Sequence, residues 1–180
     1  MAELSLNQLQ LRLSDDEGWR IEIKELEELT EYASKRCFDP TRTKCIMPQM
    51  GSGPETDSSE GGSGFLTQNE YKQILEKAKK LNIRIVPEIV APGHSGAAIH
   101  AMKLRNQTEY LLTDPDQDSD DSTSVQGYYD NTINPCIESS FNFLSTVVGE
   151  IANMHKEYMN HHNYFHLGYD SYSMTHIKYI

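Results

Sequence analysis

Residues 83–90 read IRIVPEIV, an apolar and largely β-branched run that ends against Ala91, Pro92 and Gly93. A mostly apolar run of this length, whose two charged residues, Arg84 and Glu88, do not alternate with the apolar ones, is typical of a strand buried on both faces of a parallel sheet. Pro87 lies inside the run and has no amide hydrogen to donate to a neighbouring strand, which weakens the pattern at that position. The stretch predicts a buried strand that runs into a loop at Ala91.

Two long helices are predicted on either side of this strand. The first begins at Thr67, where TQNE over 67–70 matches a capping box, and it ends near Asn82. The second spans about 137–158, just after Pro135. Apolar residues recur at helical spacing and predict its buried face: Ile137, Phe141, Leu144, Val148, Ile151 and Met154.

Two further short strands complete an alternating pattern. Leu9, Leu11 and Leu13 alternate with polar residues, and residues 164–168 read YFHLG. Strands that alternate with long helices predict an α/β fold with a parallel sheet. Loops that follow the strands, beginning here at Ser14, Ala91 and Tyr169, should then gather functional groups on one face.

Composition narrows the classes of function. With 180 residues, 37% of them hydrophobic, the chain has the size and composition of one globular domain. Its formal net charge of -11, without a lysine or arginine cluster, disfavours nucleic acid as a partner. No apolar run approaches the ~20 residues of a membrane span, so we expect no membrane insertion, and the N-terminus does not read as a signal peptide.

The cysteines give a mixed indication of compartment. Cys37 and Cys45 lie close together across a turn-rich segment, so a short-loop disulfide is geometrically possible, and Cys136 would remain unpaired. The tripeptide at 106–108, NQT, matches a glycosylation acceptor of secreted proteins. Both features suit an oxidising compartment, whereas the missing leader does not.

Four blocks in order carry a resemblance to a known family. They read LSDDEGWR at 13–20, PQMGSGP at 48–54, PEI at 87–89 with PGH at 92–94, and HLGYDS at 166–171. With ASKRC at 33–37, SVQ at 124–126 and NTINPC at 131–136, the similarity extends over about 6–170. The chain resembles the catalytic domain of family 20 glycoside hydrolases, the β-N-acetylhexosaminidases, in particular chitobiase-like members.

The resemblance implies a fold and a setting. The family's catalytic domain is a (β/α)8 barrel, and the chain resembles its second to fourth strands with two long helices, so residues 1–180 are expected to form one partial catalytic domain with a divergent tail at 171–180. No cofactor and no metal are implied. An extracellular or lysosomal location is implied, and identical copies of the chain could cover the open edges of such a partial barrel.

The resemblance also implies a reaction. The family removes terminal N-acetylhexosamine residues from chitooligosaccharides and glycoconjugates, and the substrate's own acetamido oxygen acts as the nucleophile. In the family pattern, His-x-Gly-Gly-Asp-Glu, the Asp orients the acetamido group and the Glu protonates the leaving oxygen. Here Asp170 takes the orienting position and Ser171 the acid position, while His94 is a supporting residue.

Ser171 points to impaired catalysis, because a serine hydroxyl is no proton donor at neutral pH. Loss of general acid help costs about 10²- to 10⁴-fold in rate. Val90 also replaces an acidic residue of the family, and Gln10 and Arg12 replace a pair of histidines. By resemblance, the family's substrate arginine is expected before residue 1, and its stacking tryptophans and acetamido-binding tyrosine beyond residue 180.

Two alternatives remain open. The chain could be a non-catalytic chitin- or glycan-binding module, or a non-functional fragment. For substrate contact, the resemblance and the loop positions suggest Asp15, Trp19 and His166, and the binding-module alternative adds Asp170 and Tyr169.

Three other patterns are interpreted as ordinary structure. Residues 93–97, GHSGA, are one glycine short of a nucleophile elbow. The acidic segment at 113–121 lacks the glycine and glutamate of a calcium loop. His155, His161 and His162 are expected to be surface histidines rather than metal ligands.

Overall fold

The computed structural model describes residues 1–48, 50–56, 61–114, 130–158 and 164–168. Strand β1 (Gln8–Arg12) pairs in parallel with β4 (Arg84–Glu88), and Arg12 lies opposite Glu88. On the other side of β4, His166 forms a parallel bridge with Glu88. The α/β fold with parallel strands is therefore confirmed, and the three predicted strand segments are neighbours in space.

Pro87 fits inside β4 because of where its missing amide hydrogen would point. The amide of Ile89, two residues later on the same side of the strand, donates to His166 O, and His166 N donates to Pro87 O. Pro87 therefore turns its nitrogen toward the segment at 164–168, whose described pairing begins only at His166. The strand loses no hydrogen bond to β1 at this position.

In the described part of the chain, four α-helices and a small hairpin lie around this sheet. The helices are α1 (Glu28–Glu31), α2 (Gln68–Lys80), α3 (Gly96–Arg105) and α4 (Glu138–Lys156). Strands β2 (Ser14–Asp15) and β3 (Gly18–Trp19) form the hairpin, and short 3-10 turns cover Ala2–Leu4 and Thr108–Tyr110. The capping box at Thr67 is confirmed, since Thr67 Oγ1 accepts from Glu70 N and Glu70 Oε2 accepts from Thr67 N.

Helix α4 was predicted with nearly the right ends, and its predicted buried face is right at Ile151 and Met154 but wrong at Phe141. Phe143, Val147, Ile151 and Met154 are buried, whereas Phe141 is 63% exposed. Both sets of residues recur at helical spacing, so periodicity alone does not choose between them. The face of α4 that carries Phe143 is buried because it packs against Trp19. The two rings meet edge to face at a centroid distance of 6.0 Å.

Helix α3 was not predicted, because it is buried on most of its surface. Ala97, Ala98, Ile99, Ala101 and Met102 are all buried. Burial on several sides removes the apolar-to-polar period that marks an amphipathic helix. The helix contacts α1 and the β2–β3 hairpin, and so covers the loop that follows β1.

The possible disulfide is present, since Cys37 and Cys45 are bonded with a Cα–Cα distance of 5.7 Å, and Cys136 is an exposed thiol. The loop that the disulfide closes is also held by Asp39, whose carboxylate accepts hydrogen bonds from Thr41, Thr43 and Lys44. These bonds, the Thr41 hydroxyl first, hold the pKa of Asp39 well below its usual value. The loop is thus fixed both covalently and by hydrogen bonds.

His155 corrects another expectation. It was predicted to lie on the surface, but it is 2% exposed, and its Nε2 is 2.8 Å from the hydroxyl of Tyr71. The Tyr71 hydroxyl supplies the partner that lets an imidazole be buried between α2 and α4. His161 and His162 lie outside the described residues. No helix in the described part of the chain has the length and apolar character needed to cross a membrane.

Candidate functional site

The loops after β1 and β4 bring Asp16 and His94 together. His94 Nδ1 lies 2.7 Å from Asp16 Oδ2, and Asn131 Nδ2 donates to the same oxygen at 3.0 Å. The amide of Gly96 donates to Asp16 Oδ1 at 2.9 Å. Since an ionised carboxylate only accepts hydrogen bonds, Nδ1 of His94 must carry the proton. Asp16 thereby fixes both the orientation and the tautomer of the His94 ring.

The backbone around Asp16 and His94 restricts which residues can occupy positions 94 and 96. His94 has a φ of 51°, a left-handed conformation in which few residues other than glycine occur. A Cβ at Gly96 would lie 3.1 Å from Asp16 Oδ1, closer than ordinary contact. The start of α3 therefore depends on a residue without a side chain in order to place its amide against the Asp16 carboxylate.

A second polar cluster surrounds Glu88 at the end of β4. Glu88 is 5% exposed; Gln10 Nε2 donates to its Oε2, and Arg12 lies 3.8 Å from its Oε1. His166 Nδ1 is 3.5 Å from Glu88 Oε2. Gln10 and Arg12, which depart from the family pattern, thus supply a donor and a positive charge to one buried carboxylate.

Gly168, which matches the family's His-x-Gly-Gly-Asp-Glu pattern, lies against this cluster. Its φ is +55°, and a Cβ there would meet Glu88 Oε1 at 2.9 Å and Val90 Cγ2 at 3.0 Å. A glycine is therefore required on steric grounds. Val90 is itself buried, and its amide donates to Ser14 Oγ. The backbone just before residues 169–171 is tightly held.

The sequence-predicted site residues fall into four groups. Asp15 and His94 line a common cavity, and Asp15 also pairs with Arg12 at 2.7 Å. Trp19 is 1% exposed and donates its indole N–H to Ile21 O, so its ring belongs to the core. His166 is half exposed and accepts from Gly168 N. Tyr169, Asp170 and Ser171 lie outside the described residues.

The cavity beside Asp16 and His94 has a volume of about 570 Å³, within the usual range for small-ligand sites. Its wall joins the loops after β1 and β4 to the disulfide loop, α3 and the segment at 130–131. The lining residues are Asp15, Asp16, Glu17, Tyr32, Arg42, Ile46, Met47, His94, Gly96, His100, Asp130 and Asn131. Most of the lining residues are polar or charged, and Ile46 and Met47 add apolar side chains.

The wall of the cavity also carries an ion-pair cluster. Asp130 Oδ2 is 3.1 Å from His100 Nε2 and 3.5 Å from an Arg42 guanidinium nitrogen. The hydrogen bond from His100, more than the charges, lowers the pKa of Asp130. Burial raises the pKa of Tyr32, so its hydroxyl remains protonated at neutral pH.

The positions of these side chains also bear on two other possible functions, a serine nucleophile and a metal site. Ser95 is 2% exposed, and its Oγ donates to Val90 O, so the GHSGA stretch presents no nucleophile. Asp15, Asp16 and His94 offer ligand atoms within 4.8 Å of one another. However, the His94 Nδ1 and Asp16 Oδ2 atoms face each other in a hydrogen bond. The arrangement is that of an oriented histidine rather than that of a set of ligands around a cation.

Asp16 and Asn131 are the site residues that the sequence did not single out. Both lie in blocks that resemble the family, 13–20 and 131–136. Two adjacent aspartates directly after a strand also indicate a possible functional site. What the sequence does not reveal is which aspartate faces His94. Arg42, His100 and Asp130 carry no motif, because they come from three separate segments that only the fold brings together.

Comparison with known proteins agrees with this geometry. Residues 1–178 match the sequence profile of the glycosyl hydrolase family 20 catalytic domain. The chain is 43% identical to a β-hexosaminidase of Vibrio vulnificus, over 94% of this chain and 21% of that protein. It is 45% identical to an N,N'-diacetylchitobiase of Vibrio harveyi, over 87% of this chain and 19% of that protein.

Solved structures give the same picture. A family 20 exo-β-N-acetylglucosaminidase of Vibrio harveyi, solved in complex with N-acetylglucosamine, matches with a TM-score of 0.69 and 35% identity. That match covers 85% of this chain and 21% of the other. A Streptomyces plicatus N-acetyl-β-hexosaminidase matches with a TM-score of 0.56 and 26% identity, over 85% of this chain and 25% of the other. The chain spans about a fifth of the length of the relatives that it matches.

Proposed function

Because this chain belongs to glycosyl hydrolase family 20, we propose that it is a partial catalytic domain of the β-N-acetylhexosaminidase type with impaired hydrolysis. Residues 1–180 form one unit that corresponds to the second to fourth strands of the family barrel. Its ligand is the terminal N-acetylhexosamine of chitooligosaccharides or glycoconjugates. Binding at the strand-end face persists, whereas cleavage of the glycosidic bond is slow.

The observation that carries the proposal is Ser171, directly after Asp170. In substrate-assisted hydrolysis the acetamido oxygen attacks the sugar carbon while an acid gives a proton to the departing oxygen. Asp170 can orient the acetamido group, but Ser171 holds its hydroxyl proton too tightly to release it in the transition state. The leaving alkoxide must then depart without a proton from the protein, at a cost of about 10²- to 10⁴-fold in rate.

The pair formed by Asp16 and His94 supports a site that is built but lacks its acid. Three hydrogen bonds hold the Asp16 carboxylate, which in turn fixes the His94 imidazole in a single tautomer. Such a histidine is suited to orient a neighbouring acid and to stabilise its charge after the proton is lost. With serine at position 171, His94 has no carboxylic acid to support.

Substitution at position 171 tests the proposal. Ser171→Glu restores a proton donor, so we expect kcat/KM on a chromogenic N-acetylglucosaminide to rise by at least ~10²-fold. Ser171→Ala is the matched control and should leave the rate of the unmodified chain unchanged. A Glu variant no faster than the Ala variant, or an unmodified chain as fast as active family members, would contradict the proposal.

A second candidate, a non-catalytic glycan-binding module, is favoured by the polar cavity of about 570 Å³. Its wall presents both hydrogen-bond donors and acceptors, as sugar hydroxyls require. The two candidates share the ligand and differ only in residual turnover. Calorimetric binding of chitooligosaccharide, with no measurable cleavage even after Ser171→Glu, would favour the module over the impaired enzyme.

A further inference from the structure

The tripeptide Asn106-Gln107-Thr108 takes no part in the proposed function. It is the only Asn-x-Ser/Thr tripeptide in the 180 residues, and its middle residue is not proline. All three residues are exposed. Such a tripeptide accepts an N-linked oligosaccharide when it lies on the surface of a secreted protein. The position and surroundings of Asn106 therefore decide whether it can be modified.

Asn106 ends helix α3 in a left-handed conformation. Its φ is 55° and its ψ is 34°, values that asparagine tolerates better than most residues do. Gln107 is extended, with a φ of -107° and a ψ of 119°. No described residue hydrogen-bonds to the side-chain amide of Asn106 or to the hydroxyl of Thr108. Both groups are therefore open to an enzyme that approaches from solvent.

The neighbours of Asn106 are fixed by contacts that leave its amide out. Arg105 Nη1 donates to Glu28 Oε2 at 2.8 Å, and Arg105 Nε donates to Gln107 Oε1 at 2.7 Å. The Arg105 guanidinium lies 5.1 Å from the centre of the Tyr110 ring, and Tyr110 N donates to Gln107 O. A group added to the side chain of Asn106 would break none of these contacts.

Helix α3 separates Asn106 from the cavity. Gly96, the first residue of the helix, and His100 line the cavity, whereas Asn106 follows the last residue of the helix. Six residues of helix between His100 and Asn106 correspond to about 9 Å along the axis. An oligosaccharide on Asn106 would therefore start beyond the end of α3 that lies away from Asp16 and His94.

The Cys37–Cys45 disulfide is an independent indication of the compartment in which such a modification occurs. Disulfides form and persist in oxidising compartments, such as the secretory route and the extracellular space. N-linked oligosaccharides belong to proteins of the same route. The bonded cysteines and the exposed tripeptide thus point to the same surroundings from different chemistry.

On these grounds we propose that Asn106 is an acceptor for an N-linked oligosaccharide. An oligosaccharyltransferase would supply the sugar from a lipid diphosphate. The side-chain nitrogen of Asn106 attacks the anomeric carbon, and a C–N bond forms. The bond from that carbon to the diphosphate oxygen breaks, the lipid diphosphate leaves with the electron pair, and an amide proton passes to a base of the transferase. Modification at Asn106 does not depend on the proposed hydrolysis.

Incubation of the folded full chain with a purified oligosaccharyltransferase and a lipid-linked oligosaccharide tests the site. Mass spectrometry should show one oligosaccharide per chain, attached to Asn106. Asn106→Gln and Thr108→Ala should each abolish the transfer, because the first removes the acceptor and the second the hydroxyl that the tripeptide requires. Thr108→Ser keeps that hydroxyl and should be modified. If a synthetic peptide of residues 103–111 is modified and the folded chain is not, the proposal is overturned.

A tripeptide built at a buried asparagine is the matched control. Ile133→Thr completes Asn-Thr-Thr at 131–133, where Asn131 is 3% exposed and its Nδ2 donates to Asp16. This variant, once thermal unfolding shows that it is folded, should be modified at Asn106 only. Equal modification of Asn131 would contradict the role given to exposure. If the variant does not fold, the comparison of the unmodified chain with Asn106→Gln still decides the proposal.

The placement of the oligosaccharide has a separate readout. The NMR signals of the His94 ring should keep their positions after modification, because His94 lies at the other end of α3. Displaced His94 signals in the modified chain would contradict the separation of Asn106 from the cavity.

Discussion

Asp15 and Asp16 are adjacent aspartates with different surroundings. Asp16 accepts from His94, Asn131 and Gly96, and its side chain is 20% exposed. Asp15 pairs with Arg12, and both of those side chains are about two-fifths exposed. Partly buried hydrogen bonds to a charged group contribute much more to stability than an exposed ion pair. The two residues should therefore respond differently to the same substitution.

We expect Asp16→Asn to lower the free energy of unfolding by about 2 kcal/mol, because an amide is a weaker acceptor and brings a donor toward the His94 and Asn131 donors. Asp15→Asn, the matched control, should lower it by less than ~1 kcal/mol. Denaturant unfolding of both variants gives the comparison. Equal losses would mean that Asp16 does not organise the site.

Only some of the individual residues of the candidate site could be predicted from the sequence. The motif blocks identified Asp15 and His94, which line the cavity. They also suggested Trp19 as a sugar contact, but its indole is buried against Phe143. A sequence block shows that an aromatic residue is present, whereas the direction of its ring depends on strand pairing. Asn131 was missed because its partner, Asp16, is far away along the chain.

At the scale of elements, the contact between α2 and α4 contains a buried imidazole. Burial lowers the pKa of His155 from 6.5 to about 4. The folded state therefore binds fewer protons than the unfolded state between these two values. Stability is fully present above about pH 6.5, falls as the pH drops toward 4, and changes no further below that from this residue.

We expect the free energy of unfolding to fall by about 2–3 kcal/mol between about pH 7 and about pH 4.5 as a result of this histidine. His155→Gln keeps a partner for the Tyr71 hydroxyl but does not titrate, so its stability should change less over the same range. Denaturant unfolding at the two pH values measures the difference, and identical slopes for His155→Gln and the unmodified chain would contradict it.

The elements also show where periodicity is sufficient and where it is not. The capping box and the amphipathic pattern were enough for α2, because one face of that helix meets solvent. Helix α3 was not predicted because it is buried on most of its sides, and the predicted face of α4 was wrong in the first turns, where two apolar stripes compete. Local pattern therefore predicts which segments are helical better than it predicts how those helices pack.

At the scale of the whole molecule, the parallel order of β1, β4 and the segment at 164–168 brings loops from distant parts of the chain to one face. The fold class was predictable from the alternation of strands and helices. The cavity was not, since its walls include the disulfide loop and the segment at 130–131, and nothing in their sequences shows that these two segments meet. The proposed function places sugar binding at this common face and treats bond cleavage as a separate property that depends on the residue at position 171.

That separation is tested most directly by following N,N'-diacetylchitobiose in the presence of the unmodified chain by NMR, which reports binding and cleavage in one sample. The account predicts saturable changes at the cavity residues while the disaccharide stays intact, or is cleaved at least ~10²-fold more slowly than by an active family 20 enzyme at equal concentration. Release of N-acetylglucosamine at a rate comparable to that of the active enzyme would contradict it.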